Sequence, residues 1–157
     1  MTKYSLDSIS DYCKQRGIFI YIVSGPGYQH FSDLENIVSE IKNVSLTHAT
    51  GVISEIMQKV QIALTSNGRT VYELAHMNIP SIVVSQHKRE SEHKFSSLEN
   101  GMVNIGIFSE KNTQPLLKKT FKKMVEDEDF FRMLYKNSSR FDFSENKSRV
   151  INLIKNI

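Results

Sequence analysis

Two short segments concentrate the side chains that could do chemistry. The first is Ser66-Asn67-Gly68-Arg69-Thr70, followed one turn later by Glu73. Gly68 permits close backbone approach and positive φ. The N–H groups of a helix starting here suit a phosphate. A carboxylate at Glu73 would accept hydrogen bonds from a ribose diol. The same spacing also reads as a capping box, Thr70-x-x-Glu73, with Ser66 or Thr70 as the cap. Local physics leaves both readings open. The second segment, Gln86-His87-Lys88-Arg89-Glu90-Ser91-Glu92-His93, places two histidines, two cations and two carboxylates in one loop. His87, Glu90 and His93 have metal-ligating chemistry, but their spacing matches no familiar zinc motif and Lys88 and Arg89 oppose a cation. A polar ligand or plain solvation suits the loop better. Neither metal nor cofactor is expected.

Other motifs fail on inspection. Gly25-Pro26-Gly27 invites a dinucleotide reading, but the third position of G-x-G-x-x-G is His30 and His48 stands where an acid is needed. A dinucleotide-dependent oxidoreductase is therefore disfavoured. There is no Walker A sequence and no G-x-S-x-G. The single cysteine, Cys13, can form no internal disulfide and has no placed catalytic partner. His30 and His76 are isolated, and packing is the simpler role for His76.

The elements that must position these residues alternate in period. Residues 18–23 form a β-rich run ending in the Ser24-Gly25-Pro26-Gly27 turn. Leu34, Ile37, Val38 and Ile41 recur at helical spacing, with Ser32 or Asp33 as the N-cap. Residues 44–48 read as a second strand, and Ile53, Ile56, Met57 and Val60 as a short helix. A third strand spans 61–65, a helix 70–77, and a fourth strand 81–85 opens at Pro80. A helix over 93–100 is expected to stop at Gly101, before a short strand at 103–105. Helices then fill 112–126, 127–137 and 144–156, and residues 2–16 form a leading helix. The expectation is an α/β, Rossmann-like, three-layer α/β/α domain. Its mainly parallel sheet has about five to six strands: a leading helix at 1–16, an α/β core at 17–108 and a helical C-terminal third at 109–157. Strands buried on both faces account for the nearly continuous apolar runs. In such sheets ligands bind beyond the carboxyl ends of the strands. That rule selects residues 24–27, 48–51, 66–70 and 85–93.

Composition narrows the classes. The chain has 157 residues, 20 basic and 17 acidic side chains, 39% hydrophobic and 10% aromatic residues. This fits one globular domain and excludes a polyelectrolyte or a disordered chain. No apolar run approaches the roughly 20 residues of a membrane span. No signal-peptide pattern opens the chain, so a cytoplasmic location is expected. Residues 111–157 carry 11 basic and 6 acidic side chains. Their lysines surround helically spaced Leu116, Leu117, Phe121, Met124 and Val125, as on a solvated helix face. No RNA-binding aromatic motif accompanies them, so nucleic acid is not an expected partner.

The run from Ala63 through Ser66-Asn67-Gly68-Arg69-Thr70 and Glu73 to Ala75, then Ile79-Pro80, then Ser85-Gln86-His87-Lys88-Arg89-Glu90 and His93, resembles the nucleotide-sugar-binding half of GT-B proteins. It is most similar to the UDP-sugar hydrolase of the pseudaminic acid pathway and to spore-coat polysaccharide proteins, some of which are fused to CMP-nonulosonate cytidylyltransferases. The resemblance covers roughly residues 17–108. It implies the GT-B C-terminal-domain type. Ser66, Asn67, Gly68, Arg69 and Thr70 would hold the diphosphate or its proximal sugar, and Glu73 the ribose. Gly25 and Gly27 would face an interdomain cleft. Thr50, with the backbone of Gly51 and Val52, would neighbour the base. His93 would contact the donor sugar, with Gln86, Arg89 and Glu90 in the same loop. The implied ligand is a UDP- or CMP-linked sugar of surface polysaccharide or nonulosonic acid biosynthesis. The family's catalytic histidine belongs to an N-terminal domain that nothing here matches. The chain is therefore expected to be inactive alone and to work with an N-terminal domain or partner enzyme. The alternative is a non-catalytic α/β interaction domain that docks a partner enzyme domain.

Overall fold

The computed structural model describes residues 1–49, 51 and 53–155, with backbone only at 149 and 150. Five strands alternate with helices. They are β1 (Ile20–Ser24), β2 (Val44–His48), β3 (Ala63–Thr65), β4 (Ser81–Ser85) and β5 (Met102–Ile107). The helices are α1 (Thr2–Arg16), α2 (Phe31–Ser39), α3 (Ile53–Met57), α4 (Thr70–His76), α5 (Lys88–Ser91), α6 (Thr113–Glu126), α7 (Glu128–Ser138) and α8 (Asn146–Lys155). Every ladder is parallel. The strands form two small sheets, β1-β2 and β3-β4-β5, rather than the single sheet expected. In the first, Ile20 lies opposite Val44 and Ser24 opposite His48. In the second, Ala63 lies opposite Ser81 and Ser81 opposite Met102.

One helical layer serves both sheets. Ile9, Tyr12 and Cys13 of α1 pack with Leu117, Phe121 and Met124 of α6, Leu134 of α7 and Ile82 of β4. Ile20 of β1, Leu64 of β3 and Val103 of β5 join the same cluster. The other face of the second sheet packs on Val71, Leu74 and Ala75 of α4 and Met57 of α3 through Val83 and Met102. Ile82 and Val83 thus serve opposite faces, as strand geometry requires. All five residues of β4 are buried, which is why its boundaries are legible from an apolar run after Pro80. A third cluster, Leu6, Ile22 and Leu34, fastens α2 to β1. Each such buried aliphatic side chain contributes about 1.5–3 kcal/mol.

Two local expectations are corrected. The helix expected over 93–100 is absent. Four-residue α5 precedes it, and only a single 3-10 turn, Leu98–Asn100, falls inside it. Phe95 and Ser96 are drawn inward instead, Phe95 against Tyr72 and Ser96 against Asn67. Gly101 does end that turn, with φ +78°. Helix α2 begins at Phe31 with His30 in the cap position and no side-chain cap, so neither Ser32 nor Asp33 caps it. The three C-terminal helices lie where the spacing placed them. Residue 156, the expected end of the last one, is outside the described residues.

Cys13 is fully buried, and burial pushes its thiol up to about 11 from an ordinary value of 9.0. The folded state therefore keeps its proton where the unfolded chain has lost it. Stability from this group is complete below about pH 9 and is lost as pH rises through about 11. Two measurements check this. Denaturation midpoints should fall over that window, and Cys13→Ala should make the fall smaller, the remainder belonging to Tyr4 and Tyr12, whose phenols are also pushed up, by the hydrogen bond to Glu110 and by burial respectively.

Candidate functional site

Strand β3 delivers the chain into Ser66-Asn67-Gly68-Arg69, and α4 follows. Asn67 is completely buried. Its amide nitrogen donates to the carbonyls of Glu90 (2.8 Å) and His93 (3.0 Å). Its amide oxygen accepts from the hydroxyl of buried Ser96 at 2.6 Å. Both amide protons and the amide oxygen are thereby used. The backbone carbonyl of Asn67 lies 2.9 Å from Nδ1 of His93. A carbonyl can only accept, so Nδ1 carries the proton and a neutral His93 presents Nε2 as an acceptor. Asn67 is therefore a latch. It ties the loop of residues 86–96 to the turn after β3, and its side chain is already committed.

The second loop is internally braced as well. The Glu90 carboxylate accepts from the backbone N–H of Gln86 at 2.7 Å. The backbone N–H of Glu90 donates to Nδ1 of His87 at 3.3 Å, so His87 caps α5. Glu90 shapes the loop, and its carboxylate is partly spent in doing so. In contrast, the side chains of Arg69, Thr70, Glu73, Gln86 and Arg89 make no hydrogen bond or ion pair among the described residues. All but Thr70 are exposed. The capping-box reading of Thr70 and Glu73 is not realised. Arg69 occupies the cap position and no side-chain cap bond forms. Gly68 does not adopt positive φ, and a Cβ there would meet only the Ser66 hydroxyl, at 3.7 Å. Its value is the open approach to its backbone. Helix α4 has seven residues, so its dipole is short.

The first sheet ends differently. Gly25 closes a turn by accepting from the N–H of Tyr28 at 3.1 Å. Gly25, Gly27 and Gly51 all face open space, none with positive φ. Thr50 and Val52, the expected neighbours of a base, lie outside the described residues. The sequence did not reveal that Ser24 and His48 meet. Their register in the parallel pair brings the Ser24 hydroxyl within 2.9 Å of His48 Nδ1, and the His48 ring lies 4.4 Å from that of Phe31. No hydrogen bond or ion pair joins this end to the 66–93 cluster among the described residues.

Two depressions mark the surface. A shallow groove of about 460 Å³ is lined by Tyr72, Glu73, His76, Phe143 and Asn146. His76 is part of its wall, accepting from the N–H of Phe143 at 3.2 Å. Tyr72, Phe95, Phe141 and Phe143 form the aromatic cluster beside it. The other depression, about 250 Å³, lies between α1 and α2 and includes Lys3, Tyr28 and His30. No cluster of three or more His, Cys, Asp or Glu among the described residues could hold a metal ion. No helix among them is long and apolar enough to cross a membrane. No family model matches the chain, and no curated protein or solved structure does.

Proposed function

We propose that this domain binds a nucleotide sugar, a UDP-linked one in the first instance, at the carboxyl end of the β3-β4-β5 sheet. The reading places it in surface polysaccharide or nonulosonic acid biosynthesis, beside an N-terminal domain or partner enzyme that supplies the catalytic histidine. The supporting observation is the latch. Asn67 holds two polar loops together at the end of a parallel sheet, where open α/β sheets take their ligands, and leaves the flanking side chains uncommitted. Arg69 and Arg89 would face the diphosphate, and Glu73 would accept from the ribose diol. Ser66, the Gly68 backbone and Thr70 would line the diphosphate, Gln86 would reach the sugar, and His93 Nε2 would accept from a sugar hydroxyl. In a complete enzyme the cations would stabilise charge on the departing diphosphate.

The test is calorimetric titration with UDP, UDP-N-acetylglucosamine, CMP and NADH. A uridine nucleotide should bind, NADH should not, and Glu73→Ala should weaken binding about tenfold, the worth of a charged hydrogen bond. Glu73 is exposed, so the unfolding midpoint of the variant should not move. Wild-type affinity in a folded Glu73→Ala protein would contradict the assignment.

The second reading, an interaction domain docking a partner enzyme domain, draws on the helices. Ile151, Leu153 and Ile154 of α8 and Leu116, Met133 and Tyr135 of α6 and α7 are exposed. Isolated exposure of apolar residues is ordinary, so this reading stands second.

A further inference from the structure

We infer that the groove beside α4 receives the base of the bound nucleotide, a uracil, which lies against Tyr72 and Phe143 and accepts from the Nε2–H of His76. The inference rests on the nucleotide-sugar reading and extends it to the nucleoside end of the ligand. The groove is open to solvent, has a volume of about 460 Å³ and is lined by Tyr72, Glu73, His76, Phe143 and Asn146. That is room enough for a small ring system. Glu73 is the link. It lines the groove, it is the residue assigned to the ribose diol, and a base is bonded directly to its ribose. The helix repeats the order. Arg69, Tyr72, Glu73 and His76 are exposed, whereas Val71, Leu74 and Ala75 are buried, as i, i+3 and i+4 spacing requires of one outer face. Arg69 for the diphosphate, Glu73 for the ribose and His76 for the base succeed one another over about 10 Å of helix, in the order these groups have in a nucleotide.

The walls suit a flat ring with a polar edge. The Tyr72 ring lies 4.4 Å from that of Phe95, and Phe95 lies 5.1 Å from Phe141, so its position is fixed. Tyr72 is nevertheless 43% exposed. An aromatic ring held by its neighbours and open to solvent is a stacking platform for a base. The Glu73 carboxylate and the Asn146 amide make no hydrogen bond among the described residues. His76 has a fixed polarity. Its Nδ1 accepts from the N–H of Phe143 at 3.2 Å, so the proton of the neutral ring is on Nε2. Protonation would set a charge 3.9 Å from Asp142 and leave the Nε2–H in place. Nε2 is a donor in either form, and it has no partner among the described residues. A fixed donor favours the O4 carbonyl of uracil over the amino group that cytosine carries at the same position. The groove therefore chooses uridine between the two nucleosides that the resemblance leaves open.

The experiment measures UDP and CDP affinity, and ligand-free thermal unfolding, of the full chain for wild type, Tyr72→Leu and His76→Asn. The wild type should prefer UDP to CDP about fivefold, the worth of one hydrogen bond. Tyr72→Leu should weaken UDP binding about tenfold, the worth of one stacked base. His76→Asn keeps an acceptor for the Phe143 N–H and removes the Nε2 donor. Its midpoint should therefore stay, and its preference for UDP should vanish. Wild-type UDP affinity in a folded Tyr72→Leu protein, or an unchanged preference in His76→Asn, overturns the placement of the base and leaves the nucleotide reading standing. Equal affinity of the wild type for UDP and CDP overturns it as well. If Tyr72→Leu does not fold, His76→Asn decides alone. Absence of binding of either nucleotide by the wild type overturns the nucleotide reading and the placement with it.

Discussion

Asn67→Ala should destabilise the protein by about 3 kcal/mol and abolish ligand binding. Three side-chain hydrogen bonds disappear together. Each contributes about 1 kcal/mol net, and the buried partners left unpaired cost more. Ser96 suffers most, because it is buried and its hydroxyl loses the acceptor it points at. For a chain of this length the loss corresponds to a fall in Tm of about 10 °C. Asn67→Asp is the sharper variant. It keeps the acceptor for Ser96 but sets a carboxylate against the carbonyls of Glu90 and His93, so it should be no more stable than the alanine. The contrast with Glu73→Ala separates a residue that builds the site from one that touches the ligand: the first moves stability and binding, the second binding alone. Urea denaturation checks the prediction, and a wild-type midpoint in Asn67→Ala would show that the loops hold together without the latch.

Gly101→Ala should be as damaging for a different reason. Gly101 sits at φ +78°, a conformation that costs an L-residue about 1–2 kcal/mol. Its position is also crowded. A Cβ would come within 2.6 Å of the Leu134 carbonyl oxygen and 2.7 Å of the Ser138 Cβ, both on α7. Backbone cannot swing aside as a side-chain tip can, so α7 must shift, and Leu134 is a fully buried member of the main core. The combined cost is about 4 kcal/mol, at the upper end for single substitutions. Gly17→Ala isolates the conformational part. Its φ is +67° but nothing lies within 4 Å, so it should cost only about 1 kcal/mol. Equal midpoints for the two variants would show that α7 does not constrain Gly101.

The pattern of what was legible in the sequence follows from the range of the forces involved. Period and punctuation placed β2 and β4 residue for residue, and the C-terminal helices within two residues, because these depend on neighbours along the chain. The stretch 93–100 read as a helix stopped by Gly101, yet Phe95 finds Tyr72 and Phe141, and Ser96 finds Asn67. Those attractions are tertiary, and local propensity does not contain them. Asn67 read as a ligand group only through the resemblance of the run from Ala63 to His93 to nucleotide-sugar-binding domains. Its real partners are 23 to 29 residues away, so its commitment could not be read from spacing. The division into two sheets was equally hidden, because strand periodicity says which residues alternate but not which strands pair.

Titrating ¹⁵N-labelled full chain with UDP-N-acetylglucosamine and following backbone amide shifts tests the central claim most directly. The account predicts saturable changes concentrated at residues 66–73 and 85–93, with the Gly68 and Gln86 amides among the largest. Saturable changes confined to the depression around Tyr28 and His30, or no change at millimolar ligand, would contradict it.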